Sequence, residues 1–150
     1  MDYDSLLDEI LQKGYKRIAI VGYPGSGKTT LAGKLEDSLE EDLNRQPPEL
    51  VHTDYYIDRV PFLEIPRILN GQLDQMEEFI VEGVQVARLL KYGLRPDLVI
   101  VIQDDRPAES RHKSLRTMIN NSMNAWAHTN NNRPDPTPRL DVRREDLRDE

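Results

Sequence analysis

Ile18-Ala19-Ile20-Val21-Gly22-Tyr23-Pro24-Gly25-Ser26-Gly27-Lys28-Thr29-Thr30 decides how the rest of the chain is read. Four consecutive apolar residues have the composition of a strand covered on both faces. Gly22 to Thr29 then match G-x-x-x-x-G-K-[ST] without a gap. Beyond them Leu31, Leu35, Leu39 and Leu43 recur every four residues, one apolar stripe along a helix expected from about Lys28 to Asn44. Strand, glycine-rich turn and helix in that order turn backbone N–H groups around a concave space at a helix N-terminus, where an anion is favoured. The expected ligand is ATP, its phosphates held by Gly22, Pro24, Gly25, Ser26, Gly27, Lys28, Thr29 and Thr30, with Lys28 bridging the β- and γ-phosphate oxygens. Thr29 offers a hydroxyl to Mg²⁺, which takes few protein oxygens beside phosphates and waters; Thr30 is the alternative donor.

Working outward, Leu6, Leu7, Ile10 and Leu11 predict an amphipathic helix over 4–13 with Asp4 as N-cap and Gly14 as stop. On the other side Leu50–Thr53 is a second strand, ending at Asp54-Tyr55-Tyr56. A stretch broken by Pro61, Pro66 and Gly71 holds one short helix. Phe79–Val81 is a third strand, followed by Glu82-Gly83 and a short helix over 84–92; Leu98–Ile102 is a fourth. Pro107 suits the first turn of a further helix carrying Leu115, Met118, Ile119, Met123 and Trp126. Strands alternating with helices predict an α/β protein, a three-layer P-loop NTPase fold whose short parallel sheet of about four strands is flanked by helices. One domain, 1–129, carries a lid segment near 104–118. An Asn/Pro-rich and charged tail, 130–150, is read as a surface helix or as disordered, with no convincing fifth strand.

The totals agree with an enzyme of one domain. At 150 residues such a chain buries roughly 68–70% of its unfolded surface. A net charge of −7 opposes a surface built to coat nucleic acid, which needs Lys and Arg to displace counterions. With no cysteine there is no disulfide, thiolate metal site or cysteine nucleophile. The three histidines, His52, His112 and His128, lack the spacing of a zinc site. No apolar run is long enough to span a bilayer and the N-terminus is acidic, so the expected location is cytoplasmic, without membrane; the oligomeric state is unknown.

Ligands of open parallel sheets bind at the carboxyl ends of the strands, where Gly22, Asp54, Glu82 and Gln103–Asp105 fall. Phosphoryl transfer needs an in-line acceptor, charge neutralisation and a carboxylate that positions the attacking hydroxyl. Asp54 is the candidate base and Glu82 the candidate for the metal's water shell or the acceptor, with the reverse assignment open. Asp after a strand is also a common turn or cap residue. Tyr55 and Tyr56 stack on an acceptor ring or belong to the core; Trp126 reads as packing.

The order of Gly22–Thr29, Thr53-Asp54-Tyr55-Tyr56, Ile80-Val81-Glu82-Gly83 and Asp97-Leu98-Val99-Ile100-Val101 resembles the uridine kinase and phosphoribulokinase group of P-loop kinases, small phage-type enzymes among them, over roughly residues 16–118. The resemblance implies that Asp54 is the base and that Glu82-Gly83 matches the group's Glu-Gly. It also implies an arginine-rich lid, where Arg106, Arg111, His112, Lys113 and Arg116 stand; Arg111 leads and Arg116 follows as cations that stabilise the transferred group. The function expected is transfer of the γ-phosphoryl group of ATP to a hydroxyl of a nucleoside or similar small molecule. Two alternatives stand beside it: a kinase acting on a modified base (a hydroxymethylpyrimidine in DNA) or a 5′ end, and an ATPase or nucleotide-dependent switch. A GTPase is disfavoured because no Asn/Thr-Lys-x-Asp follows a strand.

Overall fold

In a computed structural model that describes residues 1–147, five strands form a single sheet: Arg17–Val21 (β1), Glu49–His52 (β2), Phe79–Glu82 (β3), Leu98–Gln103 (β4) and Arg139–Arg143 (β5). Five α-helices accompany them: Tyr3–Lys13 (α1), Lys28–Glu40 (α2), Ile65–Asp74 (α3), Val86–Lys91 (α4) and Lys113–Asn131 (α5). The strand order is β2-β3-β1-β4-β5 and every pairing is parallel. Alternate residues of each central strand point to opposite faces. Ile18, Ile20, Ile80, Leu98 and Ile100 pack with Leu6 and Ile10 of α1 and Leu31, Leu35 and Leu39 of α2. Ala19, Phe79, Val81 and Val99 pack on the other face with α3, α4 and α5. The three layers follow from strands that are apolar on both sides and so need cover on both.

Several boundaries differ from those the sequence predicts. Asp2 rather than Asp4 caps α1, its side chain accepting from Ser5 N–H at 2.9 Å, and Gly14 ends the helix as expected. α2 stops at Glu40 although the leucine period runs on to Leu43, which is 97% exposed. There Asp42 Oδ1 accepts the Asn44 N–H at 3.0 Å, a side-chain turn that competes with helix. Pro107 lies outside α5, which begins at Lys113 after a short 3₁₀ turn at Ser110–His112.

The larger correction is the fifth strand: the sheet has five strands, not about four. The segment 130–150, set apart in the sequence as a tail and described up to residue 147, carries β5, paired with β4 from Val99↔Arg139 to Gln103↔Arg143. Two features hold it. The buried Asn130 side chain accepts from Thr137 N–H at 2.8 Å and donates to Thr137 O at 3.0 Å, tying the end of α5 to the approach of β5. Leu140 and Val142 then face the α1–α2 core while Arg139, Asp141 and Arg143 face outward, the one-sided alternation of an edge strand. No helix among the described residues is long and apolar enough to cross a membrane.

Val142 is fully buried, so Val142→Ala is expected to cost roughly 1–3 kcal/mol in urea unfolding. Asp141→Ala on the outer face should stay within about 0.5 kcal/mol. Equal midpoints for the two variants would contradict a fifth strand.

Candidate functional site

The parallel register sets the carboxyl ends of β2, β3 and β1 side by side, with Glu82 opposite Ile20 on one flank and His52 on the other. The chain runs from β1 into the Gly22–Gly27 turn, where Gly25 and Gly27 have φ of 76° and 98°. Gly27 in the left-handed region caps α2; it lets the chain enter the helix abruptly, at a conformation other residues adopt at a cost. Backbone bent in this way turns successive N–H groups toward one side and can cradle an anion.

Lys28, 6% exposed, lies beneath the turn and donates to Tyr23 O at 2.9 Å. Burial lowers its pKa below the ordinary lysine value, and the neighbouring Glu82 and Asp54 carboxylates oppose that shift. Both carboxylates therefore lie within electrostatic reach of this ammonium. Thr29 donates its hydroxyl to Glu82 Oε1 at 3.2 Å. Thr30 lines a recess of about 200 Å³ on the side of the turn that faces α1, with Tyr3, Gly25, Ser26, Gly27 and Lys34. Of the two threonines, Thr29 is the one that meets the acid. Glu82 is 2% exposed, and its Oε2, like the buried Ser26 Oγ, has no hydrogen-bond partner among the described residues.

Asp54 sits in a 3₁₀ turn, Thr53–Tyr56, directly after β2. Three contacts lace this turn to the end of β3. His52 Nδ1 lies 2.5 Å from Glu82 Oε1, Gln85 N–H donates to Thr53 Oγ1 at 3.4 Å, and Val84 N–H donates to Asp54 Oδ1 at 3.2 Å. Gly83 allows the approach: its φ is 133°, and a Cβ there would collide with the Thr53 hydroxyl. Asp54 thus has a turn role as well as a place in the site, its carboxylate remaining exposed. Tyr55 is 60% exposed, whereas Tyr56 packs against the core and donates to Gln72 Oε1 at 3.2 Å. Trp126 is in the core.

On the opposite flank α5 holds the glycine turn. Tyr23 donates to Asn120 Oδ1 at 2.7 Å, and the Arg116 guanidinium lies 4.2 Å from the Tyr23 ring centroid. Arg116 also donates to Arg106 O at 2.8 Å. Arg106 donates to Gly25 O at 2.8 Å and forks onto both oxygens of Asp104, at 2.9 and 2.7 Å. Those bonds hold the Asp104 carboxyl at about 2 against an ordinary 3.8. Arg111 pairs with Glu109 at 2.8 Å and is 75% exposed. A cleft of about 370 Å³ opens between the turn and this segment, lined by Pro24, Gly25, Arg106, Arg111, His112 and Arg116.

The sequence-derived residues Lys28, Thr29, Asp54 and Glu82 therefore meet at one place, and Arg111 and Arg116 border an adjoining cleft. Sequence reasoning placed Asp104 at a strand end only as part of Gln103–Asp105, and it gave His52, Tyr23 and Asn120 no role of their own in the site. His52 carried a signal in its position at a strand end two residues before Asp54; Asn120, on a helix nearly a hundred residues away, carried none. No protein-family model matches the chain, and no curated protein matches it.

A depressed carboxyl stabilises the fold above its unfolded pKa, and the contribution is lost as pH falls through the folded value. For Asp104 the loss should fall between about pH 4 and 2, given 3.8 unfolded and about 2 folded. It should amount to at most roughly 2 kcal/mol, reduced by solvent screening because the Arg106 partner is half exposed. Wild type should be more stable than Asp104→Asn at pH 7, and the gap should narrow on acidification to pH 2.5 in urea unfolding; a gap independent of pH would contradict the pairing.

Proposed function

We propose that this chain is an ATP-dependent phosphotransferase that moves the γ-phosphoryl group to an acceptor hydroxyl of a nucleoside or similar small molecule. One observation carries this reading: Lys28, Thr29, Asp54 and Glu82, drawn from three strand ends, converge beside a glycine-rich turn at the N-terminus of α2. Each is a residue type that phosphoryl transfer requires, and no other described cluster combines them. The kinase resemblance of the sequence motifs agrees with this assignment.

The turn and Lys28 hold the phosphates. Thr29 and Glu82 are hard oxygen donors of the kind Mg²⁺ takes. The buried Glu82 Oε2 and Ser26 Oγ, lacking protein partners, are in the state expected of atoms that face a ligand. Thr29 and Glu82 would hold Mg²⁺, which would supply positive charge to neutralise the negative charge developing on the transferred phosphate. Asp54, exposed after β2, accepts the proton of the acceptor hydroxyl. The acceptor oxygen forms its bond to the γ-phosphorus as the bridging bond to ADP breaks. Arg111, exposed on the cleft beside the turn, is the cation able to reach the transferred group; Arg116, engaged with Tyr23 and Arg106, keeps the turn in shape.

A second reading draws on the cleft itself. Arg106, Arg111, His112 and Arg116 gather around it beside one acid, Glu109, in a chain whose net charge is −7, and a ledge with this cationic excess suits an acceptor with its own phosphates, such as a base or 5′ end within a polynucleotide. γ-Labelled ATP offered with nucleoside, sugar and DNA pools separates the two by where the label appears. Under the first reading it enters a small molecule; label in polynucleotide would shift the assignment to the second. Bound nucleotide with no labelled acceptor would leave a switch or ATPase.

Asp54→Asn is expected to lower kcat by about 10²–10⁴ while nucleotide affinity stays within about threefold. Lys28→Ala should weaken nucleotide binding and reduce kcat by roughly 10²–10³ as well. Transfer at the wild-type rate in Asp54→Asn would remove that residue from the base role.

A further inference from the structure

Glu82 is held more tightly than its assigned role requires. The carboxylate is 2% exposed. Its Oε1 accepts the Thr29 hydroxyl at 3.2 Å and lies 2.5 Å from His52 Nδ1, while Oε2 is buried without a hydrogen-bond partner among the described residues. A carboxylate whose two oxygens are treated so unequally has its rotation about the terminal bond settled. A carboxylate oxygen accepts when His52 carries its proton on Nδ1, and that tautomer is the one the proposal requires. The contact is also prescribed by the sheet, because His52 and Glu82 are directly opposed in the parallel β2–β3 register. His52 itself is 42% exposed at its side chain, so packing alone does not account for its orientation.

We propose that His52 is a positioning residue, which holds Glu82 by Oε1 and thereby presents Oε2 to the divalent cation of the bound nucleotide. The proposal rests on the phosphotransferase reading and adds to it a residue outside the turn, the carboxylate pair and the cationic cleft. Groups that hold metal-site carboxylates are hydrogen-bonded to them in turn, and their loss weakens metal affinity about 10–100-fold. His52 is such a group, supplied from the neighbouring strand. Thr29 alone would leave the carboxylate on a single neutral donor at 3.2 Å.

The test uses the full chain and a fluorescent ADP, titrated with Mg²⁺ and in excess chelator. Wild type is expected to bind the nucleotide more tightly with Mg²⁺. His52→Ala should raise the Mg²⁺ concentration for half-effect about 10–100-fold, with chelator-state affinity unchanged. His52→Asn, whose amide N–H stands near the place of Nδ1–H, should recover most of the loss. In a Glu82→Gln background His52→Ala should add nothing, because both changes remove one coupled unit. A second readout needs no metal: histidine ¹⁵N–¹H spectra of the nucleotide-free protein should show a proton on His52 Nδ1 whose resonance moves in Glu82→Gln.

An unchanged Mg²⁺ half-effect in His52→Ala, a full effect persisting in the Glu82→Gln background, or an unprotonated Nδ1 would each overturn the proposal while leaving the phosphotransferase reading standing. Absence of nucleotide binding by wild type, with Lys28→Ala no different, would instead remove that reading and this inference with it. His52→Asn, which keeps a donor at the strand end, answers the same question should His52→Ala fold poorly.

Discussion

A carboxylate taken out of water must be compensated where it stands, and Glu82 imposes that demand at the end of the central strands. It is 2% exposed, and an isolated buried carboxylate would be costly enough to take up a proton instead. The Lys28 ammonium, the Thr29 hydroxyl and His52 converge on it from α2 and β2. The compensating groups arrive on two segments other than the strand that carries the acid, so the site exists only when β2, β3 and the start of α2 are all in place. The same demand bears on Lys28: its burial favours the neutral amine, and the two carboxylates oppose that shift.

Around this centre the two ends of the sheet are built differently. On the β2–β3 side the links are short and sequential, His52 to Glu82, Thr53 to Gln85 and Asp54 to Val84, which makes the acid-bearing wall rigid. On the β4 side the links run through long side chains. Arg106 bridges Asp104 to the Gly25 carbonyl, and Arg116 spans the Tyr23 ring and the Arg106 carbonyl. Half-exposed guanidinium contacts open at low cost. One wall is therefore tied by contacts within the strand ends and the other by long side chains that reach across the turn.

Much of this arrangement was legible in the residues. The run Ile18–Val21, the glycine spacing of 22–27 and the leucine period of α2 are local patterns whose physical meaning does not depend on distant neighbours, and strand, turn and helix follow one another in the order those patterns give. The positions of Asp54 and Glu82 were readable for the same reason: each was read as following a strand, Glu82 proves to be the last residue of β3, and parallel strands present their carboxyl ends together. The fifth strand was not legible. Arg139-Leu140-Asp141-Val142-Arg143 alternates as an edge strand should, but only two apolar residues face inward, and the proline-rich approach masks them until β4 supplies a partner. The end of α2 was misplaced because a leucine period cannot tell whether the last leucine meets a core; Leu43 meets solvent.

What the sequence by itself determined, then, is the class of fold and the chemical groups at the strand ends, since period and spacing act within a few residues of one another. Only the tertiary structure decided which of those groups touch. His52 reaches Glu82 through strand register, Asn120 reaches Tyr23 across 97 residues, and Arg106 reaches Gly25 across 81. Such contacts are set by which strands lie side by side and which helix covers them, and no pattern confined to one segment encodes that choice.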